Sequence, residues 1–245
     1  MFVDVCFSPV LYPKYHRAES MVVIVDIFRA TSTIIAAFEN GARSIRPVAT
    51  TEEAEACKAE GYLVGAERNC CRCAFADFGN SPFDYQPELV NGKDIVFTTT
   101  NGTKAIHYAI SAYRIITGAF VNLQAVADEC ICENRDVVVL CAGWEDKINI
   151  EDTIFGGALV ELLQPHGFQP AGDAAQIALV LWQHAKANLP DYIQQTEHYS
   201  RLSANGLTDN VPYCLTLNLS TLVPEYLKKE NHIITSKQHD FNNIS

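Results

Sequence analysis

Long apolar runs, basic tracts and glycine-rich phosphate loops are all missing from this 245-residue chain. Its apolar stretches have the length of strands, far below the ~20 residues of a membrane-spanning helix, so a membrane partner is not expected. Lysine and arginine number 18 against 29 aspartates and glutamates, a formal net charge of −11. With no basic patch and no aromatics interleaved among cations, nucleic acid is excluded as the main partner. A few arginines or a divalent cation can still reverse the field inside one cleft, so a small anionic ligand stays open. No apolar segment flanked by basic residues and a cleavage site stands near Met1, which makes a cytoplasmic location the expectation. Repeats, low-complexity tracts and Pro/Gly linkers are absent too, and one domain over residues 1–235 with a polar tail over 236–245 is the simplest division.

Cysteine is the one residue in excess, with nine copies. Their odd number and their presence inside apolar strand candidates favour reduced thiols packed as small hydrophobes. CCRC at Cys70 to Cys73 is the tempting cluster. Together with Cys130 and Cys132 it does not make a paired metal-ligand motif, so structural zinc or iron–sulfur is not expected.

Strand candidates cover residues 2–7, 21–25, 44–48, 63–65, 94–99, 114–117 and 136–142. Helix candidates at 33–39, 52–60, 103–111, 123–133 and 153–164 alternate with them. That alternation predicts an α/β fold with a largely parallel or mixed sheet covered by helices. Beyond Gly167 a helical elaboration is expected, with helices over 174–188 and 190–197, then a strand over 209–217 interrupted by Pro212. The last stretch, KQHDFNNIS, is polar and expected to fray.

Four segments run from an apolar strand into a polar turn. VVIVDIFRATST brings Asp26, Arg29, Thr31, Ser32 and Thr33. LVGAERN brings Glu67 and Arg68. DIVFTTTNGTKA brings Thr100, Asn101, Gly102, Thr103 and, more remotely, Lys104. VVVLCAGW, continuing into EDKINIEDT, brings Glu151, Asp152 and Thr153. If the strands are parallel, these turns share one sheet edge, where open α/β sheets bind ligands. Acids there can hold a hard cation such as Mg²⁺, which keeps several waters and needs only one to three carboxylates. Arginine forks match phosphate oxygens, and Gly102 tolerates the positive φ that would turn amides toward an anion. Each acid taken singly is more readily a helix cap, and each arginine a surface ion pair; joint placement favours a site for phosphoryl transfer. The commonest designs for that chemistry are missing. Phe28 occupies the place of a second acid two residues after Asp26, Lys147 stands six residues after Cys141 where an arginine is required, and neither G-x-x-x-x-G-K-[ST] nor G-x-S-x-G occurs.

DIFRATST, GAERN, DFGNSP (Asp77 to Pro82), TTNGT, CAGW with the later EDT, and HYSRL (His198 to Leu202) occur in one order over roughly residues 26–223. In that order they resemble the 2-phosphosulfolactate phosphatase family, the ComB-like proteins. The resemblance implies a ComB-like α/β fold and a Mg²⁺-dependent phosphatase that converts (R)-2-phospho-3-sulfolactate to 3-sulfolactate and phosphate, a step of sulfolactate and coenzyme M formation. It implies catalytic roles for Asp26, Arg29, Glu67, Arg68 and Asp152, with Asp26 and one or both of Glu67 and Asp152 on the metal. Thr31, Ser32, Asn80, Ser81, Thr100, Asn101, Gly102, Thr103 and Arg201 would contact the small phosphorylated metabolite. A general-acid and a purely structural role for His198 are both open, the structural one favoured. The chain departs from the expected pattern at CCRCAFADFG, where a glycine-rich turn would stand and three cysteines stand instead. Competing readings are a phosphatase for another phosphorylated hydroxy acid, a non-catalytic binder of anionic metabolites, and a metal- or redox-sensing protein built on the cysteines. A homodimer is also left open.

Overall fold

The computed structural model describes residues 1–235, and the tail expected at 236–245 lies outside the described residues. Eleven strands form one sheet among the described residues: β1 (Phe2–Cys6), β2 (Met21–Val25), β3 (Ser44–Pro47), β4 (Leu63–Arg68), β5 (Cys71–Arg72), β6 (Asp94–Thr98), β7 (Arg114–Gly118), β8 (Val137–Cys141), β9 (Gln169–Pro170), β10 (Glu225–Leu227) and β11 (His232–Ile234). The helices are α1 (Tyr12–Tyr15), α2 (Ala30–Glu39), α3 (Thr51–Ala59), α4 (Pro87–Val90), α5 (Gly102–Tyr108), α6 (Leu123–Glu133), α7 (Ile150–Leu163), α8 (Gly172–Ala185), α9 (Leu189–Ile193), α10 (Glu197–Ala204) and α11 (Val211–Leu215).

The β-branched run of β2 is buried from end to end because both faces of the sheet are covered. Val23 and Val25 join one core with Val139 and Cys141 of β8, while Val22 and Ile24 join a second core with Val138 and Leu140. This is the two-residue period of a strand read out as two separate cores. Phe155 and Trp182, from α7 and α8, pack into the first core; Ile34 and Ile106, from α2 and α5, pack into the second. No helix of the described residues is long and apolar enough to cross a membrane.

The sheet order is β5-β4-β6-β3-β11-β10-β7-β2-β8-β1-β9. Neighbours are parallel within β4-β6-β3 and within β7-β2-β8-β1-β9. Between these blocks lies the antiparallel hairpin β10–β11, itself antiparallel to β7 on one side and β3 on the other. Three antiparallel steps make the two parallel blocks run in opposite senses, so the premise of one shared sheet edge does not hold. The ends of β6 and β2 meet all the same, because α5, which follows β6, packs against α2, which follows β2: a Cβ on Gly102 at the start of α5 would stand 2.8 Å from the Ala30 Cβ of α2.

One expected element is of the wrong type. Residues 209–217 form a turn and α11, not a strand. Pro212 sits in the first turn of α11, where its missing N–H costs nothing. Val211, Cys214 and Leu215 are the buried residues, at the helical spacing of three and four. α2 also begins three residues earlier than expected, which decides the fate of its hydroxyls.

Candidate active site

Asp26 follows β2 directly and is 8% exposed. Its Oδ1 accepts from the Ala30 amide at 3.4 Å. Burial pushes its carboxyl up to about 6, against the pull of His198 and that amide. Thr31 and Ser32 lie inside α2, and their hydroxyls donate to the Asp26 and Ile27 carbonyls at 2.9 and 3.0 Å. They hold the turn closed and do not line the cavity where a ligand contact was expected of them.

Arg29 is 4% exposed, lines the cavity beside Asp26, and its guanidinium makes no hydrogen bond or ion pair among the described residues. A buried arginine without a carboxylate is costly unless a ligand supplies the anion. Arg68 differs. Its fork donates to the Glu67 carbonyl at 2.6 Å and to the Thr98 hydroxyl at 2.9 Å, and it does not line the cavity.

Glu67 lies within β4, not in the turn after it, and is 5% exposed. Asn69 and Cys70 form the tight turn between β4 and β5 with φ of 52° and 66°. Left-handed conformation at both central residues is what a two-residue hairpin requires. Cys70 thus occupies a place natural to glycine, and the Glu67 carboxylate accepts from its backbone N–H. Burial and Glu67 push the Cys70 thiol up. All nine cysteines are free.

Asp152, in the first turn of α7, accepts from the Ile27 amide at 2.9 Å through Oδ1 and from the Gly143 amide at 3.2 Å through Oδ2. It clamps the end of β2 to the end of β8. Burial and the neighbouring Glu151 and Asp26 push its carboxyl well above the usual range. With both oxygens engaged and no place on the cavity wall, Asp152 is a framework residue.

The turn after β6 is equally divided. Thr99, Thr100 and Asn101 line the cavity. Thr103 donates to the Thr99 carbonyl at 3.2 Å. Gly102 is not in a positive-φ conformation. It is glycine because a Cβ there would stand 2.8 Å from the Ala30 Cβ and 3.0 Å from Asp26 Oδ2. Close approach of α5 to α2 is its purpose. Asn80 lines the cavity, whereas Ser81 caps the following turn and donates to Asn210 at 2.7 Å. Lys104 pairs with Asp146 at 2.6 Å outside the cavity.

His198 and Glu151 complete the wall and the layer behind it. His198, from α10, lines the cavity between Phe28, edge-on at 5.6 Å, and Trp144 at 6.1 Å. Its Nδ1 meets Oε1 of Glu151, which is wholly buried. The sequence places Glu151 on the fourth strand-end segment beside Asp152, but its pairing with His198 is visible only in the structure. Arg201 stacks on Trp144 at 4.5 Å with one nitrogen bonded to Glu197 at 2.8 Å.

Among the described residues, the buried side-chain atoms without a hydrogen-bond partner are Asn80 Oδ1, Thr100 Oγ1, Glu151 Oε2, and Arg201 Nε and Nη2. All belong to this wall or to residues packed directly behind it. Buried polar groups are ordinarily satisfied, so a cluster of exceptions marks a place where a polar ligand completes the bonding. A larger cavity of about 720 Å³ lies around Arg114. There Arg114 is already bonded to Glu129, Glu133 and Glu225, and no unpartnered atom points to a ligand.

The profile of the 2-phosphosulpholactate phosphatase family matches residues 6–229. A protein of Caldanaerobacter subterraneus subsp. tengcongensis named probable 2-phosphosulfolactate phosphatase is 37% identical over 224 residues, covering 90% of this chain and 92% of its own. Proteins of the same name from Thermotoga maritima and Clostridium beijerinckii are 37% and 33% identical over 222 and 231 residues, with 91% and 92% of this chain and 94% and 97% of theirs covered.

Proposed function

The chain belongs to the 2-phosphosulfolactate phosphatase family, and from that premise we propose that it hydrolyses (R)-2-phospho-3-sulfolactate to 3-sulfolactate and inorganic phosphate with the help of Mg²⁺. Sulfolactate and coenzyme M formation in the cytoplasm is the setting this reading carries with it. The observation that supports it most is the concentration of unpartnered buried polar atoms around a single cavity, together with an Arg29 that lacks any anion. A substrate with phosphate, sulfonate and carboxylate groups needs several cationic and amide contacts. Arg29 serves the phosphate, as the buried fork beside Asp26. Arg201, stiffened by Trp144 and with two nitrogens free, suits a second anionic group; Asn80, Thr100 and Asn101 supply hydrogen bonds.

Among the described residues no group of three or more His, Cys, Asp or Glu side chains is arranged to hold a metal. Of the two arrangements expected from the sequence, the one with two carboxylates is the better supported. Asp26 and Glu67 both line the cavity and suit one Mg²⁺ that keeps several waters; Asp152 is committed to backbone amides. Such a cation, when bound, supplies charge neutralisation and polarises a phosphoryl oxygen. The protein's own contribution is orientation. Asp152 fixes the two strand ends, the α2 hydroxyls fix the Asp26 turn, and Arg29 spreads charge on the transferring group.

The cavity encloses about 20 Å³, room for a water rather than a phosphoester. Its walls, including the Cys70 turn and Trp144, must part on binding. The test is phosphate release from 2-phospho-3-sulfolactate, with 2-phospholactate and phosphoglycerate as competitors. We expect turnover that is lost on chelation and restored by Mg²⁺, and a kcat/KM lower by about 10²–10³-fold in Arg29→Ala. Binding without phosphate release would leave the non-catalytic alternative standing.

A further inference from the structure

Glu151 is a carboxylate with no access to solvent, set behind an imidazole that forms part of the cavity wall. One carboxylate oxygen holds His198 Nδ1, the Asn149 amide stands 3.4 Å from the same nitrogen, and Glu151 Oε2 has no partner. Phe28 and Trp144 fix the ring plane from two sides. With Nδ1 engaged behind the wall, Nε2 on the other side of the ring is the nitrogen left for the cavity. Neither residue belongs to the pair assigned to the cation.

A histidine that served only to fill space would need no buried carboxylate behind it. Hiding a carboxylate is costly unless it is paired, and the partner chosen is an imidazole that also reaches the cavity. The arrangement has the logic of a catalytic imidazole oriented by an acid. The function it lacks in the reading above is specific: an alkyl phosphoester departs as a strongly basic alkoxide, and nothing yet assigned protonates it.

We propose that His198, oriented by Glu151, is the general acid that protonates the leaving oxygen. This deepens the phosphatase reading and rests on it. As the bond between phosphorus and the ester oxygen breaks, that oxygen keeps the electron pair and takes the Nε2 proton, leaving as the alcohol. The attacking water forms the new bond to phosphorus. Of its two protons, one stays on inorganic phosphate and the other restores the imidazolium. Glu151 is a positioning residue: it aims the ring and balances its charge.

The test exploits leaving-group acidity. Two esters are compared, 2-phospho-3-sulfolactate and its 3,3-difluoro analogue, which keeps every charged group but whose ester oxygen leaves more easily. His198→Gln should lose about 10²–10³-fold in kcat on the parent ester, and at least tenfold of that loss should be recovered on the fluorinated one. Glu151→Gln should show a smaller loss with the same recovery, which keeps the test open if His198→Gln does not fold. A merely structural role would lower both esters by one common factor. That equal loss in folded variants, or no loss on the parent ester, overturns the assignment alone; a wild-type protein that hydrolyses neither ester overturns the phosphatase reading with it.

Discussion

Asp26 is stabilising in neither of the usual ways an aspartate can be. It has one long amide bond and no cationic contact short enough to count as an ion pair. Its carboxyl is raised from the model-peptide region near 3.8 to about 6. Between those values the folded chain binds more proton than the unfolded chain, so stability falls as pH rises through this window and stays low above it. Asp26→Asn should therefore raise the stability of the metal-free protein at pH 8 by about 1–3 kcal/mol. The gain should fade toward pH 4, while phosphate release drops to background. Denaturant midpoints at the two pH values check this; an unchanged midpoint at pH 8 would show that Asp26 carries no burial cost. At this scale the sequence was informative about which residues gather but not about their tasks. Asp26, Arg29, Glu67, Asn80, Thr100 and Asn101 do meet at one cavity. Thr31, Ser32, Thr103 and Asp152 are spent on backbone groups, and Ser81 donates to the Asn210 side chain. Which hydroxyl faces a ligand depends on where a helix starts, and α2 starts at Ala30. The Glu151–His198 pair was hidden because its members lie 47 residues apart in sequence.

Two glycines separate the requirements of the elements from those of the site. A Cβ on Gly157 of α7 would fall 1.9 Å from the Ala178 carbonyl of α8, far from the cavity. Gly157→Ala should push these helices apart and cost about 1–3 kcal/mol in stability, leaving kcat of the folded fraction unchanged. Gly102→Ala should instead drive α5 away from α2 and from Asp26. It should lower kcat at least tenfold with a similar loss of stability. Melting curves and phosphate release on both variants make the comparison, and equal effects on kcat would refute the division. The strands and long helices were legible from period and β-branching. α11 was not, because its apolar run fits either type, and the first-turn preference of Pro212 settles it. β10 and β11 are three residues each, too short to show a strand period, and they pair with one another as a hairpin and with β7 and β3 more than a hundred residues away.

At the scale of the whole molecule, an excess of negative charge surrounds a site proposed to take a multiply charged anion. With a net charge of −11, encounter is opposed over a Debye length and attraction begins only within reach of Arg29 and Arg201. Raising salt from about 0.01 M to 0.15 M shrinks that length from about 30 to 8 Å. We expect kcat/KM for the substrate to rise severalfold over this range, the reverse of an enzyme that steers its substrate inward. Steady-state kinetics at constant Mg²⁺ would show it, and a fall would mean that a local positive field dominates. The polar strand ends were read from the sequence, but the reason given for their meeting was wrong: the two blocks run in opposite senses, and the packing of α5 on α2 across them, not a common strand direction, brings the ends together.

The hairpin at the middle of the sheet has a temporal meaning. Its two strands close the gap between blocks whose other members are all complete by Pro170, yet they lie at Glu225–Leu227 and His232–Ile234. During synthesis the edges of β3 and β7 stay bare until the ribosome has released this late segment. Before that, the two half-sheets can meet only through helices such as α5 against α2, and their inner strand edges are open to mispairing.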